Sequence, residues 1–313
     1  MSNNTWYHVE LTTDASASKI YLNGQLINTG SGLDPSIGSN LRIATRYTDS
    51  GRFVGNMDHI KFYDYARTPA QIAWDYNRGA PVGWWKFDEC QGTTAYDSSG
   101  NSNNGNINIG ATAPQTTAGT CTSPTNGTGA WYNGASGKYN SSLSFDGVDD
   151  YVNASSAGGS FGTGDFSLFA WIKTPNVGTT RQIIDKEGID PRYYLRVQIG
   201  GTLFPLIDDG VTRVNTFVGD VVVDDNQWHH VGVVFDRDGD MTTYVDGGKD
   251  RGLDISGANR SMDNNNDLII GDVSGGTQSF NGLIDDVRIY NYALTPLQIK
   301  TLYNDNSAVR FSD

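Results

Sequence analysis

The chain repeats itself, but only in part. Residues 4–9 read NTWYHV and residues 226–231 read NQWHHV. KIYLNG (19–24) returns as TTYVDG (242–247), and LRIA (41–44) returns as LIIG (268–271). GNMDHIKFYDYARTPAQI (55–72) returns as GLIDDVRIYNYALTPLQI (282–299). The offset drifts only from 222 to 227 across these pairs, so insertions are confined to turns. A repeat of this span is one structural unit used twice. Residues 82–225 have no counterpart ahead of residue 4. The expectation is therefore a C-terminal part of one module (1–80), a complete second module (81–306) and a tail (307–313). Arg78-Gly79-Ala80-Pro81 supplies Gly/Pro punctuation for the boundary.

Within the repeat the elements are legible. VGVVFD (231–236) and TTYVDG flank a turn containing Asp-Gly, a hairpin signal. LIIGDV and LIDDVRIYNY read as two more strands. Thr295 then caps a helix with Pro296 at its first position, and Leu297, Ile299 and Leu302 are its apolar contacts. Thr68-Pro69 repeats that start. The first half of the second module offers GWWKF (83–87), SLSF (142–145), DYVNA (150–154), FSLFAWIKT (166–174), QIIDK (182–186), YYLRVQI (193–199) and TFVGDVVV (216–223). In SLFAWIK, Leu168, Ala170 and Ile172 share one face, and Phe169, Trp171 and Lys173 share the other. Trp85 is expected to point inward. Residues 97–140 lack periodicity and read as long loops. Many short strands with regular turn signals predict an all-β, antiparallel two-sheet sandwich.

Composition agrees. Of 35 acidic residues, 32 are Asp; the three Glu are Glu10, Glu89 and Glu187. Asp, Asn and Gly favour turns and oppose helix interiors. A net charge of −13 and a pI near 4.6 repel phosphate, which argues against nucleic acid. No run of 18 apolar residues occurs, so no segment predicts membrane insertion. The charge is unevenly placed: residues 1–80 carry 7 basic and 7 acidic residues, so the whole −13 lies in residues 81–313. The two cysteines, Cys90 and Cys121, lie outside any metal-binding spacing. They read as one disulfide of an exported protein, or as two unrelated buried thiols. The opening MSNNTWYHVEL lacks the basic start and apolar stretch of an export signal. With the disulfide reading, it carries the expectation of a piece of a longer exported protein, extracellular or displayed on a cell surface.

The ordered series GWWKFDE, AYDSSGNSNNG, LSFDGVDDYV, FSLFAWIKT, NQWHHVGVVFD, YVDG and GLIDDVRIYNYALTPLQI resembles the laminin-G-like jelly-roll domains of the concanavalin A-like lectin/glucanase superfamily. The resemblance covers about 82–305 in full and 4–79 as the back part only. It implies a jelly-roll sandwich. Function has to be argued from the site, because this fold hosts lectins, adhesion modules, enzymes and spacers.

In similar jelly rolls, a loop such as Asp97-Ser98-Ser99-Gly100-Asn101-Ser102-Asn103 approaches the acidic start of the last strand and binds calcium, a hard cation that takes oxygen ligands. Matching motifs, the resemblance implies a calcium set of Asp97, Asn101, Asn103, Asp285 and Asp286. The alternative is that Asp97 makes Asx-turns and Asp285 caps a strand end. In the first module Asp58 matches Asp285, His59 replaces Asp286, and the DSSGN loop is absent. Asp146-Gly147-Val148-Asp149-Asp150 reads as a tight turn entering a strand. Asp236, Asp238 and Asp240 read as a solvated hairpin turn, since no Glu completes an EF-hand.

The glucanases of this superfamily use a closely spaced Glu-x-Asp-x-(x)-Glu strand motif, and the three isolated Glu form none. A glycosidase needs a carboxylate pair flanking the bond, and adjacent Asp285 and Asp286 point to opposite faces. No G-x-S-x-G elbow accompanies the histidines. His8 and His230 hold equivalent repeat positions and read as strand residues, and His229-His230 as no metal pair. Enzymatic activity is not expected. A sugar surface needs aromatic faces with a few polar groups; Trp131, Tyr132, Tyr139, Tyr193 and Arg196 are the candidates. The alternative for Trp131 and Tyr132 is that they plug a long loop onto the sandwich. The leading reading is a non-catalytic extracellular module that binds a glycan or glycoprotein, with structural calcium. The second is an assembly protein that self-associates through the partial module. A third is the accessory domain of a glycosidase or sialidase.

Overall fold

The computed structural model describes residues 5–14, 16–32, 43–44, 52–123, 128–156, 159–186, 188, 190–215, 218–273 and 278–304. Two antiparallel sheets face each other. One runs, edge to edge, Gly248–Asp254, Asp240–Val245, Trp228–Phe235, Phe166–Lys173, Asn281–Tyr290 and Gly83–Trp85, with Leu143–Asp146 also paired to Asn281–Tyr290. The other runs Arg213–Val214, Leu203–Asp208, Arg192–Val197, Arg181–Lys186, Ile269–Ile270, Tyr151–Asn153, Gly105–Asn108 and Thr94–Ala95. This is the expected antiparallel sandwich.

The core between the sheets is built by alternation. Leu168, Ala170 and Ile172 join Trp85, Phe145, Tyr193, Leu195, Val231, Val233, Ile284 and Ile289 in one cluster, all essentially without solvent contact. Phe169, on the opposite face, joins Val234, Tyr244, Tyr290, Tyr292 and Ile299. The strand Phe166–Lys173 is thus buried on both faces, because the helix Pro296–Tyr303 covers the outer one. Gly232 follows from this: a Cβ there would lie 2.1 Å from the Phe169 ring, so the ring takes the space a side chain would fill.

Both helices start as the sequence implies. Thr68 and Thr295 each close a capping box with Gln71 and Gln298, with Pro following. Leu297 departs from expectation: it is 75% exposed, and Ile299 alone of the three expected contacts is fully buried. The expected strand 216–223 is also not found where described. Residues 216 and 217 lie outside the described residues, and 218–223 form a loop in which the Asp250 carboxylate accepts from the backbone N–H of Asp220 and Val221. Gly219-Asp220 breaks the apolar run there. The loop region 97–140 contains a short strand, Gly105–Asn108, and a single helical turn, Ala130–Asn133.

Residues 5–79 contribute a third, three-stranded sheet of Val9–Thr13, Ala17–Leu22 and Gln25–Ser31, and the helix Pro69–Asn77. Its details match those of residues 228–303. Asn23-Gly24 (φ 50°, 78°) and Asp246-Gly247 (φ 50°, 75°) are both primed turns. His8 N–H donates to Asn23 Oδ1 at 3.0 Å, and His230 N–H donates to Asp246 Oδ1 at 2.9 Å. The tail 307–313, and the first half of LRIA, lie outside the described residues.

Candidate ligand-binding cleft

The residues expected to hold calcium are spent on other bonds. Asp97 Oδ1 accepts from Trp84 N–H (3.0 Å) and Ser99 N–H (2.8 Å). Its Oδ2 accepts from Ser99 Oγ (2.8 Å) and Asn103 N–H (2.9 Å). The Asn101 and Asn103 side-chain amides both donate to the Val82 carbonyl. Asp286 is held by Arg288 (2.9 Å) and by Trp84 Nε1 (2.6 Å). Asp97, Asp285 and Asp286 do not converge within 4.8 Å among the described residues. Asp97 thus ties its own loop together and Asp286 is paired with Arg288, so the carboxylates of this set are not gathered into one cluster among the described residues.

Asp285 anchors a loop instead. It is fully buried, and its Oδ2 accepts from Tyr139 N–H at 2.9 Å. Oδ1 is buried without a hydrogen-bond partner. Burial pushes the carboxyl up to about 8, and the charges of Asp286 and Asp88 add to the shift. Carboxylates converge elsewhere, at Asp146, Asp149 and Asp150, whose oxygens lie within 4.8 Å of one another. The expected turn is there, with Val148 N–H donating to Asp146 Oδ1 at 2.8 Å. Asp150 also accepts from Gln115 Nε2 at 2.7 Å. Burial, then the nearby Asp146, raises Asp150 to about 7.

The aromatic residues expected to face a sugar are dispersed. Trp131 is wholly buried and Tyr193 likewise; each packs in the main core. They are not surface ligands, because each finds one polar partner from within: Trp131 Nε1 donates to the Gly92 carbonyl (2.9 Å), and Tyr193 OH to the Gly159 carbonyl (2.8 Å). Tyr139 is half-buried, its ring edge-on to Trp171 at 6.0 Å. Arg196 lies on the outer face of the eight-stranded sheet. Its guanidinium sits 4.7 Å from the Tyr194 ring and 4.6 Å from the Phe204 ring, and donates to Gln278. Tyr132 alone of the five is exposed, at 40%.

What Trp131 supports from below is an open cleft of about 610 Å³ lined by Glu89, Gln91, Gly92, Thr93, Thr94, Tyr96 and Thr120. Its walls are local in origin. The Cys90–Cys121 disulfide joins the two segments, with Cα atoms 5.0 Å apart. Cys121 N–H donates to the Cys90 carbonyl, and Gln91 bridges Thr120. Glu89 Oε1 accepts from Tyr96 N–H at 2.7 Å, which ties the two ends of the loop. Glu89 Oε2 is buried without a partner, and burial raises this carboxyl above its ordinary value. Tyr96 stands 59% exposed. The cleft thus presents an aromatic face and threonine side chains with the Glu89 carboxyl in its wall, and its volume lies in the ordinary range for small-ligand sites. Sequence reasoning passed over Glu89 and Tyr96. The usable signal was that each sits within six residues of a cysteine that closes a loop.

A family profile for laminin G-like domains, of the concanavalin A-like lectin/glucanases superfamily, matches residues 1–73 and 146–300. The chain belongs to this family. Among solved structures, this laminin G-like chain is similar to the binding domain of Paraclostridial Mosquitocidal Protein 1 (TM-score 0.55, 16% identity, 74% of this chain and 53% of that one). It is also similar to the botulinum neurotoxin serotype D ligand binding domain in complex with N-acetylneuraminic acid (TM-score 0.53, 15% identity, 74% and 52%). A third is the binding domain of botulinum neurotoxin DC in complex with rat synaptotagmin II (TM-score 0.50, 13% identity, 72% and 52%). The laminin G-like chain spans about half the length of these domains, and at such identities the likeness is one of fold. The family fixes the fold, and the neighbours are themselves binding domains. No described helix is long and apolar enough to cross a membrane.

Proposed function

We propose that this module binds a carbohydrate or glycoconjugate, outside the cell or on its surface, and that the ligand enters the cleft at Glu89 and Tyr96. The observation that carries the reading is the cleft itself. A disulfide and the Trp131 indole hold it open, so little ordering is required on binding. Tyr96 offers the flat face that a sugar's C–H groups need, and the threonine side chains lining the cleft offer hydrogen bonds to its O–H groups. The disulfide supports an oxidising compartment, and a structural neighbour holding N-acetylneuraminic acid supports the ligand class. The test is a glycan array over plant, algal and host glycans. Wild type should give defined hits, and Tyr96→Ala should lose them about tenfold or more with unchanged melting. A clean negative across all three sets, or hits indifferent to Tyr96→Ala and Glu89→Gln, sinks the reading.

We propose Asp146, Asp149 and Asp150, where hard oxygens converge, as the calcium position of this module. Asp149 Oδ1 there is buried with no hydrogen-bond partner. Calcium should raise the melting temperature of wild type and not of Asp150→Asn. An equal rise in both removes the assignment.

A further inference from the structure

The walls of the cleft carry no positive charge. Of the seven residues that line it, Glu89 is acidic and none is Lys, Arg or His. Proteins hold a carboxylate or sulfate with Arg or Lys, or at a helix N-terminus. The lining offers neither. Its bonding groups are the hydroxyls of Thr93, Thr94 and Thr120 and the amide of Gln91, and each kind both donates and accepts. Tyr96, 59% exposed, adds a flat neutral face. A ligand rich in hydroxyls and free of charge suits such a wall.

The one acid in the wall is uncompensated. Glu89 Oε1 accepts from Tyr96 N–H at 2.7 Å, which fixes the carboxyl beside the residue that forms the flat face. Oε2 has no hydrogen-bond partner, and no cation pairs with this carboxyl among the described residues. Burial raises it above its ordinary value, and the charge of the adjacent Asp88 adds to the shift. The surroundings have the same sign, since the whole −13 of the protein lies in residues 81–313. An unpaired carboxylate in a wall repels a second one brought up to it. Such repulsion sets specificity as effectively as attraction does.

We propose that the cleft takes neutral sugars, and that Glu89 makes it turn away sugars bearing a carboxylate or sulfate, the sialic and uronic acids among them. The inference rests on the reading of the cleft as a glycan site and names its ligand class more narrowly. Glu89 is a specificity residue with two tasks: Oε1 ties the loop, and the charge sets the sign of the wall. The fold shared with a domain that holds N-acetylneuraminic acid does not carry that sugar's charge to this cleft, because the lining here has no group to meet its carboxylate.

The test uses the full chain and matched glycans: neutral oligosaccharides, and the same oligosaccharides carrying one sialic or uronic acid. Affinities are read by calorimetry at neutral pH. Each neutral member should bind about tenfold or more tightly than its acidic partner. Salt at about 1 M, where the Debye length falls to about 3 Å, should narrow that gap. Glu89→Gln keeps an oxygen for Tyr96 N–H and removes the charge; it should narrow the gap about tenfold with unchanged melting. Acidic members that bind wild type as tightly as neutral ones, and lose that binding in Tyr96→Ala, overturn the inference and leave the glycan reading standing. A gap that survives Glu89→Gln also overturns it. Where that variant fails to fold, the salt series on wild type decides, and a gap indifferent to salt overturns the inference. Binding to no member of either set removes the glycan reading, and the inference falls with it.

Discussion

Asp285→Asn should change how this protein's stability depends on pH. Asp285 is fully buried, with one oxygen accepting from Tyr139 N–H and the other unpartnered. Burial lifts its carboxyl from the ordinary 3.8 to about 8. A carboxyl raised in the folded state is held as the neutral acid there, and folding takes up a proton between those two values. Its contribution is fully present below pH 4 and is lost as pH rises through 8. The linkage slope is roughly 1.4 kcal/mol per pH unit, so about 6 kcal/mol is forfeited across the window. Asn keeps the shape and cannot ionise. Asp150 and Asp165, at about 7 and about 6, titrate with the same sign in wild type and variant, so the difference between the two proteins isolates Asp285. The assay is urea denaturation at intervals from pH 4.5 to 8.5, in EDTA to exclude metal binding. Wild type should lose stability relative to Asp285→Asn steadily up the series, and the variant should be the more stable protein at pH 8. Parallel profiles would refute the reasoning, since they would mean that Asp285 titrates alike folded and unfolded.

His230 gives the opposite sign. Buried between Phe169, Trp171 and Tyr303, with Arg288 adding to the effect, its imidazole is lowered to about 3. Stability it supports is present above pH 6.5 and is lost as pH falls toward 3; His230→Phe should flatten that acid limb in the same denaturation series. Trp131→Ala should cost roughly 3–5 kcal/mol as a core deletion. Trp131→Phe should cost only about 1–3 kcal/mol, by orphaning the Gly92 carbonyl, and should weaken glycan binding in calorimetry while the fold persists.

The elements that the sequence made legible are those with a local or periodic cause. The alternation of Phe166–Lys173, the Thr-Pro helix starts and the Asp-Gly hairpin each depend on a few adjacent residues, and each formed where expected. The fold class followed from the ordered motifs. The site was far less legible, because side-chain fate there is decided by distant partners. Nothing near Trp131 reveals that Gly92, 39 residues away, will take its indole N–H into the core. Nothing near Asp97 shows that Trp84, 13 residues earlier, will donate its backbone N–H to that carboxylate. Leu297 was misread for a similar reason: helical spacing marks a side but not how wide the buried stripe will be. The closure of loop 90–121 was legible as one of two readings, and the cleft beside it needed the tertiary placement of Trp131.

The short strand Gly83–Trp85 carries a consequence for how this protein reaches its native state. Among the described residues its ladder partner is Asn281–Tyr290, where Trp85 meets Val287, about 200 positions later in the chain; nearer by, its only pairing is an isolated bridge from Trp85 to Asp97. The intervening residues must be made and largely arranged before that ladder can close. Contacts of such sequence separation slow folding and prolong the time for which apolar strands stand open. On the ribosome, Trp84 and Trp85 emerge early, can bond residues 97–103 soon after, and join their sheet almost last. A chain stopped short of residue 281 would carry two tryptophans with no sheet to join, and would be recognised by chaperones or proteases rather than accumulate as a smaller sandwich.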